Sequence, residues 1–228
     1  MGNVLLTAII LTFLRSTFSD FNVSSTEIKL LILLCKKMLP KIYLFIKDFI
    51  PLELDKLNKN ISIIFRNYEK PINDGVIIAL RAYCRSHKRD LYLANDIKKA
   101  IKHKLNGVYI PSFNNKLNLH AFSVPKNFTL LGSAHNQTEI NIKKAQGCSL
   151  IFLAPVFEVS KKSFFFGVTR YNLLTLNQKS RFIALGGINE FTIKKVGLLR
   201  CVGYSGISWI KKNGLKQIRP FLNNLSTN

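Results

Sequence analysis

Ala184-Leu185-Gly186-Gly187-Ile188-Asn189 runs from an apolar, β-rich stretch through paired glycines into a helix-patterned segment. Adjacent glycines let a backbone approach a ligand closely, and the amides that open a helix offer N–H donors to a phosphate. A tight strand-to-helix turn without any ligand reads the same way. A second glycine-bearing strand end, Gly203-Tyr204-Ser205-Gly206-Ile207-Ser208, comes next. In a barrel of eight parallel strands, the loops after strands seven and eight form the recurrent phosphate site. The question is then whether six comparable strands come before them.

Six do. Ile42–Lys47, Ile61–Asn67, Leu91–Asn95, Gly107–Ile110, Phe128–Ser133 and Leu150–Pro155 are short apolar runs, followed by Phe182–Leu185 and Gly203–Ile207. Helix-patterned stretches separate them: Asp74–Ser86, Gln137–Gln146, Arg170–Asn177 and Glu190–Leu199, with Leu215–Leu222 closing the series. Strand alternating with helix predicts parallel βαβ units, and nearly continuous apolar strands predict burial on both faces. Asn136 and Asn189 stand where helix-capping residues belong. The segment Asn114–Lys126 is loop-rich, so the fourth crossover is the least regular. The expected fold class is α/β, a (β/α)8 TIM barrel over 41–228 behind an N-terminal helical extension over 1–40.

The extension contains Val4–Leu14, an apolar run too short to span a bilayer as a helix, and a helix over Ser24–Met38. No Lys or Arg precedes the run, which argues against a secretory signal. A membrane-associating helix, a helix packed on the barrel, and a stretch ahead of the true start stay open. The four cysteines have neither metal-ligand nor redox spacing and read as small hydrophobes, fitting a reducing, cytoplasmic setting. Lys and Arg total 34 against 12 Asp and Glu, a formal net charge of +22. Such a surplus attracts phosphates, nucleic acid or anionic membranes. The lysines are scattered along the chain, however, with doublets such as Lys98-Lys99 and Lys143-Lys144 inside helices, which reads as solvated outer faces. No specific nucleic acid and no stable membrane insertion are expected; self-association stays open.

Polar residues follow the apolar strands: Arg66, Asn95, Asp96, Ser112, His135, Asn136 and Ser208. In a parallel barrel these positions converge on one rim, where active sites are assembled from several strands. Loop chemistry alone also favours polar residues there. His87, His103 and His120 sit in basic or loop contexts and read as surface residues.

In order, the motifs resemble the thiamine phosphate synthase/TenI family. Leu131-Gly132-Ser133-Ala134-His135-Asn136, followed by Glu139, is similar to the family's fifth-strand motif. Leu153-Ala154-Pro155-Val156-Phe157, leading to Lys161-Lys162 and Gly167, is similar to its G-P-V-F and T-x-T-K segment. Ala184–Ile188 resembles A-I-G-G-I, and Gly203–Ser208 resembles G-A-D-G-V. Arg66 and the pair Asn95-Asp96 match residues after strands two and three. The register holds over roughly residues 42–212.

The resemblance implies an enzyme of thiamine biosynthesis, a transferase joining a phosphorylated pyrimidine (as its diphosphate) to a thiazole phosphate and releasing pyrophosphate with magnesium. Arg66 would grip the diphosphate, with Lys70, Asn95 and Ser133 on the pyrimidine side. Asp96 and Asn114 would hold magnesium, and Lys162 would meet the leaving group. Gly186, Gly187, Ser208 and Gly167 would hold the thiazole phosphate. His135 would exchange protons in a TenI-type tautomerase, the rival reading, beside a non-catalytic thiazole-phosphate binder. A basic protein that binds nucleic acid or anionic membranes is the rival of another class.

The departures fall on one side. Tyr68 stands where the family has a lysine, Asn114 where it has an aspartate, and Ile97 where it has an arginine. Val159 and Lys161 replace the two threonines, leaving Lys162 as the match. The thiazole-phosphate half is kept and the diphosphate and metal half is eroded.

Overall fold

Lys41–Ile46 (β1) begins a series in which every strand is parallel to its neighbours and the last pairs with the first. We describe a computed structural model, covering residues 41–117, 123–160, 164–206 and 209–210. The expected N-terminal extension and the helix over 215–222 lie outside the described residues.

The strands are β1, β2 (Ile61–Phe65), β3 (Leu91–Ala94), β4 (Gly107–Ile110), β5 (Thr129–Ala134), β6 (Leu150–Leu153), β7 (Arg181–Leu185) and β8 (Gly203–Ser205). They close into a barrel in chain order, β8 joining β1 through Lys41↔Gly203 and Ile42↔Tyr204. This is the predicted (β/α)8 architecture. The crossovers carry α1 (Pro51–Asp55), α2 (Asp74–Ser86), α3 (Ile97–Lys102), α4 (Gln137–Ala145), α5 (Gly167–Thr175) and α6 (Ile193–Val196). The expected helix over 190–199 is only the single turn of α6, because Asn189 and Thr192 build a side-chain-bonded turn ahead of it.

Strand parity sorts the core into two layers. Ile42, Leu44 and Ile46 of β1 face outward against the helices with Ile77, Leu80 and Ile140. Tyr43 and Phe45 face inward with Ile64, Tyr92, Tyr109, Leu131 and Phe152. Period-two alternation on strands buried on both faces is what separates the two sets. The lumen is filled by edge-on aromatic pairs, Phe45–Tyr109 at 5.0 Å and Tyr43–Phe152 at 5.2 Å between centroids. A filled lumen leaves ligands only the mouth.

Among the described residues no helix stands between β4 and β5. Fully buried Lys143 and Gln146 of the α4 end serve the irregular backbone there instead. Lys143 Nζ donates to the Asn114 carbonyl at 2.6 Å, and Gln146 Nε2 donates to the carbonyls of Asn114 and Lys116 at 2.8 and 2.9 Å. A buried carbonyl without a partner is costly, so a crossover that forgoes a helix needs such donors. Lys143 is therefore no solvated face residue; burial pushes its ammonium pKa down. His103 also departs from its surface reading: it is buried, with Nε2 3.1 Å from Asp74.

Candidate functional site

The C-terminal strand ends carry Arg66, Asn95 and Asp96, Asn114, Ser133 and His135, and Gly186 and Gly187 on successive strands of one closed barrel. They consequently share one rim. Lys162 and Ser208 lie outside the described residues.

Arg66 extends the β1–β2 ladder by one bond, its N–H donating to the Ile46 carbonyl at 2.8 Å. Its guanidinium lies over the Phe45 ring at 4.7 Å and beside the Tyr68 ring at 5.9 Å. Ring faces attract a cation without neutralising it. No carboxylate pairs with Arg66 among the described residues. The Tyr109 hydroxyl lies within hydrogen-bonding reach of Ser133 and Arg66, while burial pushes the phenol pKa up. An arginine, a tyrosine and a serine from β2, β4 and β5 thus converge at the top of the lumen. Tyr68, replacing the family's lysine, packs edge-on against Phe113 at 5.5 Å, and both rings are largely exposed.

Lys70 is elsewhere. It lines a cavity of about 490 Å³ with Lys47, Phe65, Ile72 and Val76. Phe65 belongs to the outward layer, so this cavity lies outside the barrel wall. Between Arg66 and Lys70 the chain turns, Asn67 Oδ1 accepting the N–H groups of Glu69 and Lys70.

On the β3–β4 side, Asn95 holds a left-handed backbone (φ 60°) and accepts from Asn114 Nδ2 at 2.7 Å. Asp96 Oδ1 accepts the Lys99 N–H at 2.9 Å as the N-cap of α3. Asn114 Oδ1 accepts the Lys116 N–H at 3.1 Å. The expected metal donors thus each spend an oxygen on a backbone amide, and one carries no charge. Among the described residues no three His, Cys, Asp or Glu side chains stand together as metal ligands. This set does not fit magnesium.

His135 lies two residues beyond Ser133, and its ring Nδ1 is 3.0 Å from Glu139 Oε2. The same oxygen accepts the His135 N–H at 2.7 Å, and Asn136 caps α4 by accepting the Glu139 N–H at 2.9 Å. An ionised carboxylate on Nδ1 needs a proton there, which leaves Nε2 of a neutral ring as the basic nitrogen.

Gly186 and Gly187 have φ values of 93° and 68°. A Cβ on Gly187 would stand 2.5 Å from the Phe157 and Glu158 carbonyl oxygens, so the pair is required by the close passage of the β6 loop. Phe191 and Thr192 donate their N–H groups to Asn189 Oδ1, which removes them as anion donors. The N–H groups of Gly187 and Ile188 donate to no group among the described residues. Gly167, by contrast, spends its N–H on the Val156 carbonyl at 2.9 Å, so that amide is closed to a phosphate. Next to β7, the Ser205 hydroxyl is fully buried without a partner among the described residues.

Tyr109, Ser205 and the Glu139 carboxylate went unremarked as site groups in the sequence. Strand parity would have placed Tyr109 and Ser205 on the inward face, and the spacing from Asn136 to Glu139 is that of a capping box.

Searches against family models and curated proteins return no match. Solved structures do match in fold. The thiamine phosphate pyrophosphorylase from Pyrococcus furiosus superposes with a TM-score of 0.68 at 16% identity, over 84% of this chain and 99% of that one. KGPDC from Streptococcus mutans gives 0.62 at 11%, over 82% and 97%. A 4-hydroxy-2-oxoglutarate aldolase/2-deydro-3-deoxyphosphogluconate aldolase from TTHB1 gives 0.56 at 18%, over 82% and 94%. These likenesses establish the barrel and leave the reaction open.

Proposed function

We propose that the barrel mouth binds a thiazole phosphate or a close relative and moves a proton on its ring, as a TenI-type tautomerase does. The observation that carries this reading is the His135–Glu139 pair at the end of β5. Nε2 would take a proton from one ring position and return it to another, with no net change in atoms or charge. The amides of Gly187 and Ile188, which donate to no group among the described residues, would hold the phosphate, with Ser208 as the resemblance implies. Arg66 would hold a second polar or anionic part of the ligand over Phe45.

One observation favours a second reading, the synthase-type condensation. Arg66 is a guanidinium at the mouth that no carboxylate neutralises among the described residues, suited to a diphosphate, and Lys162 would then meet the leaving pyrophosphate as the resemblance implies. A single experiment separates the two. The protein is incubated with thiazole phosphate in deuterium oxide, then with added pyrimidine diphosphate and magnesium. Deuterium uptake without thiamine phosphate supports the tautomerase; thiamine phosphate formation replaces it with the synthase. Neither, with no thiazole-phosphate binding, refutes both.

A further inference from the structure

Cations that are scattered along the chain recur in space at the N-terminal end of the barrel, while Lys47, Arg66 and Lys70 share the mouth with acids. Asp48, Glu69, Asp96, Glu139, Glu158 and Glu190 all follow C-terminal strand ends, at the mouth. At the opposite end, the turn entering each strand from β2 to β8, except β6, carries an exposed cation: Lys59, Lys88, Lys104, Lys126, Lys179 and Arg200. None of the six forms an ion pair among the described residues. Two acids stand at that end as well, Asp55, which accepts from Tyr83 at 2.6 Å and lies 3.6 Å from His87 Nε2, and Asp90, which accepts from Asn106 at 2.9 Å; neither pairs with any of the six.

Helix C-termini favour cations, by about 0.3–1 kcal/mol each, which explains a lysine here and there. It does not explain where two of them sit. Four helices end in a left-handed residue, and at two it is Gly147 and Asn177, the usual types. At the other two it is Lys88 (φ 54°) and Lys104 (φ 49°), a conformation that costs an L side chain about 1–2 kcal/mol. Six cations around one end, without an ion-pair partner among the described residues, also repel one another, and an anionic partner would relieve that repulsion.

We propose that this N-terminal end of the barrel docks on the phosphate backbone of a nucleic-acid duplex. Asn58, Asn60 and Gln178 stand among the cations as further phosphate donors. The exposed aromatics among the described residues, Tyr68, Phe113, Phe164, Phe165 and Phe191, all follow C-terminal strand ends. Among the described residues the basic end therefore presents no exposed ring of the kind that anchors a protein in a bilayer or stacks on single-stranded bases. Its contacts are electrostatic and blind to sequence, and they leave the mouth free.

The test is binding of a fluorescent 20-base-pair duplex by the full chain. Six phosphate contacts predict an affinity that falls about a thousandfold between 50 and 200 mM salt, equally for unrelated sequences. Replacing four of the cations (Lys59→Gln, Lys104→Gln, Lys179→Gln and Arg200→Gln) should flatten the log–log salt slope by roughly one for each. Should that variant not fold, acetylation of the wild-type protein decides: the duplex should shield Lys59, Lys88, Lys104, Lys126 and Lys179 while Lys47 and Lys70 stay reactive. Shielding of Lys47 and Lys70 instead, absence of binding at 50 mM salt, or binding to phosphatidylserine vesicles with the duplex ignored would each overturn the proposal.

Discussion

Glu139 holds His135 by two groups at once, the ring Nδ1 at 3.0 Å and the backbone N–H at 2.7 Å, through a single carboxylate oxygen. The helix cap that begins α4 therefore also fixes the orientation of the imidazole. Structural capping and proton chemistry become inseparable at this point.

His135→Ala should slow deuterium uptake into thiazole phosphate by about 10²–10⁴-fold with little change in thermal stability. Glu139→Ala should slow it as well, and should additionally cost about 0.5–1.5 kcal/mol in urea unfolding, because the His135 N–H loses its carboxylate acceptor while the Asn136 cap stays. Wild-type exchange in the His135 variant would remove this residue from the chemistry.

The two glycine sites should respond differently to alanine. At Gly187 the new Cβ meets backbone 2.5 Å away, so destabilisation of about 2 kcal/mol or more is expected, with loss of phosphate-ligand affinity. At Gly167 nothing lies within 4 Å and only the φ of 66° opposes the change, which limits the cost to about 1 kcal/mol. Urea midpoints of both variants, with thiazole-phosphate binding, check the contrast.

Arg89 is buried and donates to the carbonyls of Leu54, Leu57, Asn58 and Ile61, closing the end of α1. Arg89→Met should destabilise the barrel by about 3 kcal/mol, since several buried carbonyls lose their donor together. Arg89→Lys should recover little, because an ammonium cannot span the same fork. Equilibrium unfolding of the two variants gives the comparison.

Asp74 accepts from Lys102 at 2.7 Å, with Lys99 at 3.2 Å and His103 at 3.1 Å, and hydrogen bonds from Lys102 and then Lys99 hold its carboxyl below the usual range. A depressed folded pKa means stability that is present above the unfolded value near 4 and lost as the pH falls through the folded one. Asp74→Asn should accordingly lower Tm at pH 6, and the gap to wild type should narrow steadily below pH 4. A gap independent of pH would show that the carboxylate charge contributes nothing.

Much of the barrel was legible because alternation is a local property. Apolar runs such as Leu150–Leu153, punctuated by polar strand ends, identify parallel strands before any contact is known, and Asp74–Ser86 shows its helix by pattern alone. The paired glycines were legible too, although their partner was not: the Phe157 backbone that demands them is brought there by the β6 loop. The burial of Lys143 depends on an irregular fourth crossover that no helix periodicity of α4 reveals. Arg66, Tyr109 and Ser133 meet only because the sheet closes. Charge gives the sharpest division. The sequence by itself determines the sum of +22 and the alternation of strand and helix. Only the closed barrel decides that helix starts, with their acids, gather at one end and helix ends, with their cations, at the other, because every crossover in a parallel barrel runs the same way.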